Sequence, residues 1–452
     1  MTGLLPESFR RNLTAMRARE DAAFLERIPK SVAMRAEAAK AMPSGVPMSW
    51  MAGLQRLPPV FIDNGDGAYF TDIDGNTYLD MNQADLAATL GFAPPAITDA
   101  VQDSLMKGVS FLQPTANVAE AAQAVAAWGA VPYWQFSGSA SGANTEVMRI
   151  ARFATGRPKI LMFDGRYHGH VDEFMAEDAA NIENTLMGLR HGASSETRVI
   201  AFNDLDALEA ALAEGDIACV IAEPMLTNVG VVFPDDGFWP AAVDLIHKAG
   251  ALFAADESHT YSLGFGGLAS TLKMKPDFQI LGKGLGSGIP FALYGMTEAL
   301  KDVVEANLNS DAGPTGIAIG GTTYGNAIAV TAAHVAVTEC LTKADYDRAD
   351  ALGTQLGTGL QALFDNHGLD WRAPHIAGRS GYVLQPTLPR TAAEAVASLD
   401  PLFVDTRRVY CANRGVWDAV LTAGPACSFS HKPEDVERYH EVIDSFLAEC
   451  VG

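Results

Sequence analysis

Two stretches constrain the fold of this chain most: Phe253-Ala254-Ala255-Asp256-Glu257-Ser258-His259 and Ile280-Leu281-Gly282-Lys283-Gly284. Each reads as a short apolar strand that turns polar at its carboxyl end, which is where parallel α/β sheets place their chemistry. The same pattern recurs along the chain. Strands are expected at Tyr133–Phe136, Lys159–Phe163, Arg198–Ala201, Cys219–Ala222, Leu252–Ala255 and Phe278–Leu281, with helical stretches between several of them. That alternation is the βαβ rhythm of a mostly parallel sheet covered by helices on both faces. Ile319–Thr323 is expected to close this region, and a long helix to run from Asn326 to Thr342.

The ends of the chain read differently. Glu7 to Lys40 is rich in Arg, Glu and Ala, with Leu13, Met16, Phe24 and Leu25 at helical spacing, so it predicts surface helices packed on a partner or on the other chain end. Pro43-Ser44-Gly45-Val46-Pro47 ends them, and Val60–Asp80 predicts a small antiparallel meander. Helices mixed with strands such as Ser380–Gln385 follow after about residue 345. A chain of 452 residues suits one large and one small domain. The expected division is 1–80 and 326–452 for a smaller α+β domain, including an interdomain helix 326–342, and 81–325 for the large one. A net charge of −22 argues against broad binding to nucleic acid or anionic membranes, while leaving room for a locally basic pocket. The five cysteines are scattered without CxxC spacing, and no apolar run reaches membrane-spanning length. A soluble cytoplasmic protein with free thiols is expected.

A buried Asp and a Lys at neighbouring strand ends is what pyridoxal phosphate (PLP) chemistry requires. The amine condenses with the cofactor aldehyde, and the carboxylate keeps the ring nitrogen protonated so that the ring accepts electrons. Alone, Asp256 and Lys283 also fit an ordinary strand-end acid and lysine. Three further stretches make a site of them. Ser137-Gly138-Ser139-Ala140-Ser141-Gly142 follows a strand and leads into a helix near Asn144, a small-residue loop able to hold an anion. Tyr167, in Asp164-Gly165-Arg166-Tyr167-His168-Gly169-His170, sits just past another strand end where its ring could stack on a planar cofactor. Glu223 and Asn228 flank a third strand end, and Gly320–Asn326 offers a second phosphate grip. The pair His168 and His170 with Asp172 has no accompanying ligand cluster, so a metal site is not expected.

With these residues the chain resembles the class III, fold-type I PLP-dependent aminotransferases, and most closely the branch containing glutamate-1-semialdehyde aminomutase. Asp72–Asp80, Tyr167–His170, Ala222-Glu223-Pro224, Asp256-Glu257, Leu281-Gly282-Lys283 and Gly321-Thr322 with Gly325-Asn326 carry the resemblance, which covers roughly residues 40 to 445. It implies that Lys283 binds the cofactor and shuttles the proton, that Asp256 pairs with the ring nitrogen, and that Tyr167 stacks on the ring. It further implies that Ser139, Ala140 and Ser141 bind the phosphate, that Glu223 and Asn228 lie on the ring-oxygen side, and that Thr322 reaches the phosphate of a neighbouring subunit in a homodimer.

Departures from the family pattern bear on substrate. The phosphate loop usually reads Asn-Ser-Gly-Thr-Glu-Ala; here Gly138–Ala143 keeps its hydroxyls as Ser139 and Ser141, lacks the Glu and has Ala140 in place of the Gly. Ser258 replaces an apolar pad under the ring, and His259 follows it, either as a substrate contact or as a structural histidine. The aminomutase clamps its substrate carboxylate with an Arg where this chain has Met51, after Trp50, and its gating Glu corresponds to Ala423. A Trp50/Met51 wall suits an apolar substituent and leaves a carboxylate unpaired. Alternatively, Trp50 and Met51 are core residues and Arg56, Arg166 or Arg414 is the clamp. The expected function is therefore ping-pong transfer of an amino group from an amine or β-amino acid with an apolar substituent to an oxo-acid such as pyruvate. An aminomutase and a non-catalytic PLP-fold binding or regulatory subunit are the alternatives.

Overall fold

The structure is a computed structural model that describes residues 4–176, 188–190, 192–308, 316–419 and 424–452. The expected meander forms as β1 (Ile62–Asp66), β2 (Tyr69–Asp72) and β3 (Thr77–Asp80). The central sheet follows as β4 (Tyr133–Ser137), β5 (Lys159–Phe163), β6 (Thr197–Ile200), β7 (Ile217–Ala222), β8 (Leu252–Asp256), β9 (Phe278–Leu281) and β10 (Ala292–Met296). Its order is β4-β10-β9-β8-β7-β5-β6, with only β10 antiparallel to its neighbours.

Strand β10 was not expected from the sequence, and Ile319–Thr323, expected to close the region, forms no strand. Gly295 in its middle is a weak strand former. The register explains why it is tolerated: a Cβ at Gly295 would lie 2.4 Å from Val131 and 2.8 Å from the Trp134 ring. Because β10 runs backwards, its first residue lies beside Ser137, the last of β4, and Leu293 pairs with Leu281 of β9. The ends of β4, β9, β8, β7 and β5 thus share one edge of the sheet.

Burial drives this arrangement. Every residue of β7, β9 and β10 is buried, as strands of a sheet covered on both faces require. The helix Ala140–Thr155 lays Val147, Ile150 and Ala151 onto Ile160, Ile221 and Ile280 of the sheet. Each such aliphatic side chain contributes about 1.5–3 kcal/mol by leaving water.

The chain divides into two units, Pro95–Tyr346 with Arg390–Ala393, and Met1–Pro94 with Asp347–Pro389 and Glu394–Gly452. The breaks thus fall at residues 94 and 346, not at 80 and 325. The helix Ala327–Val335, capped by the Asn326 side chain, packs on helices Pro95–Leu105 and Val118–Trp128, and so belongs to the larger unit and not to the smaller.

In the smaller unit, helix Glu7–Arg27 packs on Pro401–Asn413 and Pro433–Val451, burying Leu13, Met16 and Phe24 but leaving Leu25 exposed. The stretch Ser380–Gln385 is not a strand. β11 (His375–Ile376) pairs with β12 (Arg379–Ser380), Val383 makes a single antiparallel bridge to Arg372, and Tyr382 and Leu384 are buried by packing near Phe364 and Phe403. β13 (Val416–Trp417) joins β3 in parallel, so both chain ends build one small sheet. None of the described helices is long and apolar enough to cross a membrane.

The smaller unit holds a fully buried ion pair. Arg407 Nε donates to Asp418 Oδ2 at 2.5 Å, the Tyr439 hydroxyl donates to Asp418 Oδ1 at 3.0 Å, and the guanidinium lies 3.9 Å from the Tyr382 ring centroid. Breaking such a pair strands a buried charge. Asp418→Ala is expected to destabilise the protein by about 3–5 kcal/mol in denaturant unfolding, and the double substitution Arg407→Met/Asp418→Leu to recover most of that loss.

Candidate active site

Asp256 is the last residue of β8, and its Cα pairs with Ile280 of β9. Lys283 lies three residues beyond that partner. Between them Gly282 is pressed into a gap: a Cβ there would sit 3.0 Å from the Ala140 Cβ and 3.4 Å from Ser258 Oγ. Lys283 itself adopts φ +48°, a left-handed conformation that costs a side-chain-bearing residue about 1–2 kcal/mol. Strain of this kind persists only where the surroundings hold it, and it concentrates at functional sites. The sheet therefore delivers amine and carboxylate to adjacent strand ends.

Asp256 is 2% exposed and is held by four donors. Oδ2 accepts from Asn144 Nδ2 at 2.9 Å and from His168 Nδ1 at 2.9 Å, while Oδ1 accepts from the Ser258 amide at 3.1 Å and its hydroxyl at 2.7 Å. Burial pushes this carboxyl up, but the His168 hydrogen bond and charge, then Ser258 and Asn144, outweigh it and hold it below the usual carboxylate range. Asn144 also ties this group to the neighbouring loop, donating to the His168 carbonyl at 2.8 Å. Neither Asn144 nor His168 was given a role from the sequence. The available signal was a polar Asn144 on the otherwise apolar face formed by Ala143, Val147 and Ile150.

The small-residue loop is tighter than expected. The helix begins at Ala140, not near Asn144, so Ala140, Ser141 and Gly142 are its first turn, with Ser139 as cap. Ser139 Oγ accepts from the Gly142 amide at 3.1 Å, and Ser141 Oγ accepts from the His170 amide at 2.9 Å. With both oxygens engaged as acceptors, each hydroxyl keeps a proton to donate, next to first-turn amides that have no carbonyl within the helix. The Tyr324 ring closes over this loop. A Cβ at Gly138 would meet it at 2.8 Å, and one at Gly142 would lie 2.6 Å from Ser137 Oγ and 3.0 Å from the Tyr324 hydroxyl. Thr322, in the same segment as Tyr324, is exposed.

Tyr167 is half exposed, and its amide donates to Glu223 Oε1 at 3.2 Å. Asn228 Nδ2 donates to the same oxygen at 2.6 Å. Glu223, past the end of β7, is buried, and that burial raises its carboxyl above the usual range. Ser258 and His259 are buried beside Asp256. Asp256, Lys283, Ser139, Ala140, Ser141, Tyr167, Glu223, Asn228, Ser258, His259 and Thr322 all belong to the larger unit.

Trp50 and Met51 belong to the smaller unit. They lie on the short helix Ser49–Gly53 and are exposed, so they are not core residues there. Ala423 lies outside the described residues. The substitute clamps are engaged: Arg56 pairs with Asp21 at 2.6 Å and Asp405 at 2.8 Å, Arg414 with Glu20 at 3.1 Å, and Arg166 donates to the Ala176 carbonyl at 2.6 Å.

One sheet edge thus carries an anion-ready helix start, a carboxylate held ionised, an amine on the next strand, and a half-exposed aromatic ring. These are the parts needed to hold a phosphate-bearing aromatic aldehyde by its two ends. Comparison with known proteins agrees. The family model Aminotransferase class-III matches residues 51–370. The chain is 33% identical over 367 residues to the glutamate-1-semialdehyde 2,1-aminomutase of Rhodopirellula baltica, covering 79% of this chain and 81% of that one. It superposes on the crystal structure of a glutamate-1-semialdehyde aminomutase from Pseudomonas aeruginosa PAO1 with TM-score 0.91 and 31% identity, covering 97% and 99% of the two chains. A variant of that protein in complex with PMP matches with TM-score 0.90 at 31% identity, covering 97% and 98%.

Because Asp256 is depressed in the folded state, the stability it contributes is present above its unfolded pKa of about 4 and is lost as pH falls through the lower folded value. His168→Phe removes the main group holding it down. The melting temperature of wild type should exceed that of His168→Phe by a margin that holds from neutral pH down to about 4 and narrows as pH falls below it; a gap that stays constant through that acid range would contradict this account.

Proposed function

This chain belongs to the class III aminotransferase family, fold-type I enzymes that use PLP, and we propose that it moves an amino group with Lys283 and Asp256 as its working pair. The observation that carries the reading is the buried Asp256 carboxylate, held ionised at the strand end beside Lys283. When bound, the cofactor supplies an electron-accepting ring that makes the bonds to an attached amine's carbon easy to break. Asp256 fits the protonated ring nitrogen, since a carboxylate fixed by four donors stays charged opposite it. Ser139, Ala140 and Ser141 fit the phosphate through hydroxyl protons and first-turn amides. Tyr167 offers its ring, Ser258 and the Glu223/Asn228 pair line the remaining sides, and Lys283 brings an amine that can take a proton from the substrate carbon and return it elsewhere. A homodimer in which Thr322 serves the neighbouring subunit's phosphate, working in the cytoplasm, completes the proposal; exposed Thr322 and five free cysteines support it.

Whether the amino group moves within one molecule or between two is a finer question. The relatives support the first, the aminomutase named above as an alternative, better than two-substrate transfer. One observation favours the second. Met51 stands where the aminomutase clamp would be, and Arg56 and Arg414 are already neutralised by carboxylates. A donor with an apolar substituent and an acceptor such as pyruvate would suit that surface.

Purified holo-protein should be offered glutamate-1-semialdehyde alone, and separately a panel of amines and β-amino acids with and without pyruvate. Turnover of the semialdehyde without added oxo-acid establishes the aminomutase; strict dependence on the oxo-acid establishes two-substrate transfer. In either case Lys283→Ala is expected to lower kcat by at least about 10³-fold. Full turnover in that variant would refute the assignment.

A further inference from the structure

The segment Gly320–Asn326, which carries Thr322, is pinned at both ends by side chains that amino transfer as described above leaves without a role. Glu146, on the helix Ala140–Thr155, accepts from the Gly320 amide at 2.7 Å through Oε1. Arg149, three residues further along the same helix, donates from Nη1 to the Ala318 carbonyl at 3.0 Å. Residues three apart on a helix share a face, so the two side chains grip neighbouring points of one stretch of backbone. At the other end Asn326 Nδ2 donates to the Thr323 carbonyl at 2.9 Å, and its Oδ1 accepts from the Ile328 and Ala329 amides. Between these anchors Thr322 is exposed. Glu146 is 4% exposed, and Ala143, Val147 and Ile150 of its own helix belong to the apolar core. A carboxylate at that depth costs more than an aliphatic side chain would, unless its oxygens are needed there. Burial, then the Glu146 charge, raises the Tyr294 phenol on β10, so the carboxylate lies against the sheet as well as against Gly320. Glu146 is also the only acid of its helix, one turn beyond Gly142, where the family pattern has Glu.

We propose that Glu146, with Arg149 beside it, is a positioning residue that holds the Gly320–Asn326 segment so that Thr322 meets a cofactor phosphate already in register. The proposal rests on the reading above in which Thr322 serves a phosphate within a homodimer, and it adds how an exposed hydroxyl comes to be placed. An untethered loop samples many conformations, and fixing it on binding costs entropy. Backbone tied at Ala318, Gly320 and Thr323 has lost that freedom on folding, so the hydroxyl is presented without further ordering. Gly320 itself has φ +96°, a conformation strained for any residue with a side chain, and the Glu146 bond is made to that residue's amide. An amide donating to a carboxylate makes a stronger bond than one donating to a neutral oxygen, which suits a brace on exposed backbone. The same helix opens with the Ser139–Ser141 turn, so one rigid element carries an anion-ready start in its first turn and the brace for Thr322 in its second. The gain falls on the phosphate and not on the ring, whose nitrogen Asp256 fits.

Equilibrium binding to the apo-protein tests the brace without turnover. The probes are PLP, pyridoxal, which lacks the phosphate, and inorganic phosphate. Glu146→Leu, close in size but without an acceptor, should weaken PLP binding by about 10-fold and leave pyridoxal binding unchanged. The rise in melting temperature that inorganic phosphate gives the wild type should shrink in the same variant. Glu146→Gln keeps an oxygen for the Gly320 amide and should restore most of the PLP affinity. If Glu146→Leu does not fold, Arg149→Met, a change at an exposed position, should weaken PLP relative to pyridoxal in the same direction. PLP and pyridoxal weakened alike would make Glu146 a general support of the fold and overturn the proposal, as would a PLP affinity unchanged in both variants. Should the protein transfer no amino group at all, the ratio of the two affinities still reads the brace, so the two failures are distinguishable.

Discussion

A carboxylate buried to 2% exposure is unstable unless its surroundings meet every charge and lone pair, and the larger unit is built around meeting that demand at Asp256. Its donors come from three different elements. Asn144 lies in the first turns of the helix after β4, His168 in the loop after β5, and Ser258 just past β8 itself. None of these contacts is local in sequence except Ser258. Each exists because the strand ends share one edge, so the electrostatics of the site are a consequence of the sheet order.

The same edge explains the roles of the small residues. Gly282 lets the β9 end approach the helix start at Ala140, and Gly138 and Gly142 let the Tyr324 ring close over the Ser139–Ser141 turn. The antiparallel β10 lies between β4 and β9 and pairs with both, so their carboxyl ends fall on the same edge. Glu223 adds a second buried carboxyl whose environment differs in kind. Asp256 is held down by a histidine and three neutral donors, while Glu223 is pushed up by burial.

Much of this was legible in the chain. Strand ends at Asp256, Lys283, Ala222 and Phe163 follow from short apolar runs that turn polar, because a strand buried on both faces can show polarity only at its ends. Helix Val118–Trp128 and the opening of the helix after Asn326 follow from periodicity and capping. Strand β10 was missed because Gly295 weakens its local signal, while its stability comes from neighbours on both sides. Ser380–Gln385 misled for the converse reason, since an apolar run buried among aromatic rings looks like one buried by pairing.

The residue types at the strand ends, and with them the class of chemistry, were set by the sequence alone: an amine, a carboxylate, small residues before a helix, and an aromatic ring have the same intrinsic chemistry in any fold. That residue 51 is a methionine is likewise read directly from the sequence. What the tertiary structure decided is the state of those groups. That Asp256 stays ionised, that His168 and Asn144 serve it, that Arg56 and Arg414 are already paired, and that Glu146 holds the Gly320 amide all depend on groups far apart in sequence meeting within about 3 Å. Hydrogen bonding and burial act over that range only, and no pattern along the chain encodes which distant partners will enter it.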